Sequence, residues 1–70
     1  MAKAYRIKKD IIVEFKNDMH QKQVADYLGI SETHLSLVLS GKSNASRILA
    51  LNISLLNREG ELENLFDEVK

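Results

Sequence analysis

His20 and His34 are the side chains best suited to bind a metal or move a proton, and Ser36, Ser40 and Ser43 are candidate nucleophiles. With no Cys in the chain, a metal site on two imidazoles lacks its remaining ligands and the groups that would orient them. A serine hydrolase needs a strained nucleophile turn and an oxyanion hole, and no G-x-S-x-G run is present. Gly29, Gly41 and Gly60 stand alone, so no glycine-rich loop exists to cradle a phosphate. These residues imply no metal, no cofactor and no enzyme. Residues 21–43 instead concentrate small hydrogen-bonding side chains and two lysines: Gln21, Lys22, Ser31, Glu32, Thr33, His34, Ser36, Lys42 and Ser43.

The chain that must position them is short. Its 70 residues carry ten Lys+Arg against ten Asp+Glu, with no Pro and no Trp. That length makes residues 1–70 a single domain, and a domain of this size buries only roughly 60% of its unfolded surface. No apolar run approaches the ~18 residues of a membrane span. The N-terminal MAKAYRIKKD has basic residues but no apolar stretch behind them, unlike a secretory signal. Absence of Cys suits a reducing compartment, and the expectation is a cytoplasmic protein with no membrane partner.

Zero net charge conceals an asymmetry. Residues 1–47 hold eight basic and five acidic side chains, and residues 48–70 hold two basic and five acidic ones. The first part suits a polyanion and the second repels one.

Apolar spacing is helical over most of the chain. Ile7, Ile11, Ile12, Phe15 and Met19 form one stripe, so a first helix is expected there, ending at Asn17-Asp18. Val24, Ala25 and Leu28 mark a second, stopping at Gly29. Leu35, Val38 and Leu39 line a third that starts at Ser31. A polar loop, Ser40–Asn44, follows. A fourth helix runs from about Ser46 with Ile48, Leu49, Ile53 and Leu56 inward, and Gly60 breaks or bends it. Leu62, Leu65, Phe66 and Val69 give a last, acidic helix over about 61–69. Tyr5-Arg6-Ile7 alternates too briefly for a strand. The expected class is all-α, four to five short helices.

Residues 21–39, QKQVADYLGISETHLSLVL, satisfy the demands of a tight helical corner. Two helices crossing at ~90–120° over a turn of three to four residues need a small side chain at the contact. Ala25 supplies it. The turn needs a residue tolerant of positive φ, which Gly29 provides. Ser31 can accept a free amide of the next helix. Val24, Leu28, Ile30, Leu35 and Val38 bury the corner.

This segment, and LGISETHLSLVLSGK at 28–42 in particular, resembles the helix-turn-helix of the phage-repressor-like family, of the Cro/CI or Xre type. The resemblance is strong over residues 21–42 and weaker over the flanking helices. It implies a lambda-repressor-like DNA-binding domain and a small sequence-specific transcriptional regulator, docking the helix 31–40 in the major groove. By position it makes Glu32, Thr33, Ser36 and Leu37 the base-reading residues. It makes Gln21, Lys22, Ser31, His34, Gly41, Lys42 and Ser43 the phosphate-contacting ones, with Lys8 or Lys9 adding attraction. The implied partners are double-stranded operator DNA and a second copy, since two half-sites call for a homodimer. The alternative is a modulator or antirepressor that keeps this shape and binds another protein, such as a repressor. The helix 31–40 has no Arg or Lys on its outer face and carries Leu37, which suits that alternative.

Overall fold

The computed structural model describes residues 3–9, 11, 13–58 and 60–69. Asp10, Ile12, Glu59 and Lys70, which enter the stripe or the charge count above, lie outside them. The elements run β1 (Ala4–Ile7), a 3-10 turn (Lys16–Asp18), α1 (Gln21–Leu28), α2 (Glu32–Leu39), β2 (Ala45–Ser46), α3 (Arg47–Leu56), α4 (Leu62–Leu65) and β3 (Phe66–Val69). The three strands form one antiparallel sheet in the order β2-β1-β3. The all-α expectation, and with it the lambda-repressor-like class, is overturned: the fold is mixed α/β, with four helices and a three-stranded sheet among the described residues.

Two segments account for the difference. Among the described residues no α-helix lies between Ile7 and Met19. An i, i+4, i+8 set also falls on one face of an extended chain, because four is a multiple of two. Tyr5, Ile7 and Phe15 are buried and Ile11 and Val13 half-buried, all at odd positions, while Arg6, Glu14 and Lys16 are exposed. Ile11 and Val13, both β-branched, favour the extended choice. Asn17 and Asp18 then take positive φ, 59° and 53°, a region Asn and Asp enter more readily than most residues. At the other end, only Leu62–Leu65 of the expected helix 61–69 is helical. Phe66 leaves it to pair with Ile7, Asp67 with Arg6, Glu68 with Tyr5 and Val69 with Ala4. Lys3 and Lys8 face Glu68 and Asp67 at 3.3 and 3.7 Å.

One core joins the layers. Val24, Ala25, Leu35, Val38, Ala50, Ile53 and Leu65 are essentially sealed from solvent, with Tyr5, Ile7, Phe15, Ala45 and Phe66 closing around them. The segment before α1 is tied to the end of α3: Phe15 bridges Asn57, the Arg58 amide donates to the Glu14 carbonyl at 2.9 Å, and the Arg58 guanidinium meets Asp18 at 2.6 Å. α3 ends at Leu56, so Gly60, at φ 72°, neither breaks nor bends it. Leu49 and Leu56 pack against the core as expected, but Ile48 is 73% exposed.

Candidate nucleic-acid interface

α1 and α2 are joined by Gly29, Ile30 and Ser31, and the local sequence sets how each helix ends. At the close of α1, Gly29 sits at φ 73°, its amide donates to Asp26 at 3.2 Å, and the Ile30 amide donates to Ala25 at 3.1 Å. That pair of bonds is a Schellman closure, which glycine adopts without steric cost. At the start of α2 the Ser31 hydroxyl accepts the His34 amide at 3.0 Å. Ala25, at 1% exposure, is where α1 admits its neighbour. At the start of α1, Gln23 Oε1 accepts the His20 amide at 2.8 Å, which satisfies a donor that the cap position would otherwise leave to water.

The turn sets which side of α2 faces out. Leu35 and Val38 point inward at 0% exposure. With 3.6 residues per turn, Thr33 lies opposite them, Ser36 and Glu32 flank it on one side, and Leu37 and His34 on the other. All five are exposed. The four residues expected to read bases therefore share one solvent-facing surface. His34 turns away from its centre and lines a groove of about 360 Å³ with Leu28, Ile30 and Ile48. Gln21 and Lys22 hold the first two positions of α1, Gln21 half-buried and Lys22 exposed.

The loop after α2 behaves differently from a backbone grip on phosphate. It repeats the closure of α1: Gly41 takes φ 81°, its amide donates to Val38 at 3.2 Å, and the Lys42 amide donates to Leu37 at 3.0 Å. The Ser43 amide also goes to the Leu37 carbonyl, at 3.1 Å, and the Ser40 hydroxyl to the same oxygen at 3.1 Å. All three loop amides, at 41, 42 and 43, are thus turned inward. What this loop offers an anion is the Lys42 ammonium, which is exposed, and the Ser43 hydroxyl.

The sheet brings further basic groups to the same end of α2. Arg6, Lys8 and Lys9 line a groove of about 320 Å³ together with Leu39, Ser40 and Gly41. Arg6 Nε donates to Asn44 Oδ1 at 2.9 Å, fixing β1 to the loop. Lys8 is partly engaged by Asp67, whereas Lys9, Lys22 and Lys42 take part in no ion pair among the described residues. Only the β1–β2 pairing carries Arg6 to Asn44, a relationship that local spacing does not convey.

The acidic C-terminal residues are divided between the sheet and the exposed Glu61 and Glu63 beside it in sequence. Leu65 and Phe66 are buried, and Asp67 and Glu68 lie against the lysines of the β1 side. Among the described residues no group of three or more His, Cys, Asp or Glu is placed to hold a metal ion, and no helix is long and apolar enough to cross a membrane. No family model matches the chain, and no curated protein or solved structure is significantly similar to it.

Proposed function

We propose that this protein is a small sequence-specific DNA-binding transcriptional regulator of phage or bacterial type, acting in the cytoplasm as a homodimer. The observation that carries the reading is the bare outer face of α2. Glu32, Thr33, Ser36 and Leu37 are all exposed on a helix whose other side is locked into the core by Leu35 and Val38. A helix held rigidly by one face and empty on the other is suited to the major groove, which is wide enough to admit it. Thr33, at the centre, meets a thymine methyl or a base edge, and Glu32 accepts from a cytosine amino group. Lys22, Lys42 and Lys9 supply phosphate attraction from the flanks, and the Ser31 hydroxyl keeps its proton for a phosphate oxygen while accepting the His34 amide. Regulation is steric, by occupancy of an operator.

The test is fluorescence anisotropy of a labelled duplex from the region upstream of the protein's own reading frame. Each neutralised phosphate contributes a slope of about 0.9 in log affinity against log salt. With Lys9, Lys22 and Lys42 engaged from two copies, affinity falls about 10³-fold between about 50 and 200 mM salt. Binding that is absent, or indifferent to salt, contradicts the reading.

A second reading has its own observation. Among Glu32, Thr33, His34, Ser36 and Leu37 there is no Lys or Arg, and Leu37 is 38% exposed. Such a face also suits a modulator or antirepressor that binds another protein, a repressor for example. Salt-insensitive behaviour in the anisotropy experiment favours it.

A further inference from the structure

α3 is apolar on two sides. Its inner side buries Ala50, Ile53 and Ser54 in the core. Its outer side leaves Ile48 at 73%, Leu51 at 36% and Leu55 at 61% exposed. Residues three and seven apart stack on one face of a helix, so these three form a continuous aliphatic stripe. Among the described residues the other large exposed apolar side chains, Tyr27 on α1 and Leu37 on α2, each stand singly on their own helix. Exposed apolar surface arranged as a stripe marks an interaction site more often than apolar residues scattered singly.

We infer that the Ile48–Leu51–Leu55 stripe is the face across which two copies of this chain pair, antiparallel, about a two-fold axis near Leu51. This deepens the reading above, which requires two copies, by naming where they meet.

Three features point to a second copy as the occupant. Ile48 and Leu55 flank Leu51 at three and four residues, so the stripe reads nearly the same in both directions. An antiparallel partner therefore sets Ile48 against Leu55 at both ends, as a self-complementary interface requires. Residues 48–57, ILALNISLLN, hold no ionisable side chain, and the chain has zero net charge. The stripe itself therefore brings no like charges together, whereas a partner chosen by charge would find none along it. A groove whose apolar side is Leu28, Ile30 and Leu49 and whose polar side includes His34 and Asn52 opens beside Ile48, where antiparallel pairing delivers Leu55 of the second copy. Three side chains cover less than the ~800 Å² per partner of a standard stable interface, so pairing in the free protein is weak and concentration-dependent.

Sedimentation of the full chain, from micromolar to millimolar concentration and without DNA, tests this. Monomer–dimer equilibrium is expected. Ile48→Glu and Leu55→Lys each weaken dimerisation by about tenfold or more, because a charge is buried without a partner. Both positions are exposed, so circular dichroism and melting temperature stay at wild-type values. Mixing the two variants restores a dimer, since Glu at 48 then faces Lys at 55 and the other end keeps its Ile–Leu contact. A wild-type chain that stays monomeric throughout overturns the inference, as does a dimer insensitive to both substitutions. Failure of the mixture to associate overturns the antiparallel pairing. A wild type that is monomeric when free removes this face but not the docking of α2, which the anisotropy experiment reads separately with two copies brought together by the DNA. Absence of DNA binding leaves this face intact, so the two failures are separable.

Discussion

The Ser31 hydroxyl accepts the His34 amide at 3.0 Å, and this bond fixes where the open face of α2 begins. Glu32 and Thr33 are the first two helical residues after the cap, so their direction depends on it. Replacing an N-cap serine by alanine costs about 1 kcal/mol. Ser31→Ala is therefore expected to lower unfolding free energy in urea by that amount, whereas Ser31→Asp, which also caps, keeps it. The two variants part company on DNA. Ser31→Asp brings a negative charge toward phosphate and weakens binding despite its normal stability.

Ala25 and Gly29 make a second, independent demand on the corner. Ala25 is 1% exposed, and a larger side chain there pushes α2 away. Ala25→Leu is expected to cost about 1–3 kcal/mol by overpacking. At Gly29 an added Cβ meets nothing within 4 Å, so the cost of Gly29→Ala comes from its φ of 73° alone, roughly 1–2 kcal/mol. Gly29→Asn, more tolerant of that conformation, costs less. Chemical denaturation of the three variants checks the order.

The two ends of the chain hold the sheet together through burial rather than charge. Phe66, opposite Ile7, is 3% exposed, and truncating a buried phenylalanine costs about 3–5 kcal/mol. A single core in a domain this small supplies little more than that, so Phe66→Ala is expected to be largely unfolded at room temperature by circular dichroism. The exposed pairs Lys3–Glu68 and Lys8–Asp67 are each worth less than about 1 kcal/mol, and Lys3→Ala melts close to the wild type.

The parts of the fold that follow from neighbours in sequence are the parts the sequence makes legible. Ala25, Gly29, Ser31, Leu35 and Val38 lie within fourteen residues, and the bonds that end α1 and start α2 are local. The strands are not local. β1 finds its partners at Ala45–Ser46 and Phe66–Val69, and neither is long enough to announce itself by alternation. Ile7, Ile11 and Phe15 satisfy a helical stripe and an extended one equally, and Leu62, Leu65, Phe66 and Val69 sit at helical spacing although the last two belong to a strand. Ile48 lies on the far side of α3 from Ala50 and Ile53, a consequence of which face the sheet and α1 cover. In the candidate site, the exposure of Glu32, Thr33, Ser36 and Leu37 follows from the burial of Leu35 and Val38. The inward turn of the 41–43 amides depends on how α2 closes at Gly41, which spacing alone does not convey.

Side chains that read bases and side chains that grip phosphate are distinguishable by substitution. Thr33→Ala is expected to relax preference at one base pair of each half-site by about 1–3 kcal/mol, while Lys22→Ala or Lys42→Ala weakens every sequence alike and, by removing one contact from each copy, lowers the salt slope by about 2. Competition anisotropy with a panel of single-base variants of the best-bound duplex measures both. Gly41→Ala, by contrast, strains a φ of 81° and acts on stability.

The central claim is that the outer face of α2 docks on DNA. An amide NMR titration of the isotope-labelled full chain, with duplexes from its upstream region at low and moderate salt, tests it most directly. The account predicts shifts concentrated at Gln21, Lys22, Ser31 to Leu37, Lys42 and Ser43 that diminish as salt rises. A spectrum unchanged by every duplex at low salt, or shifts gathered away from α2, contradicts it.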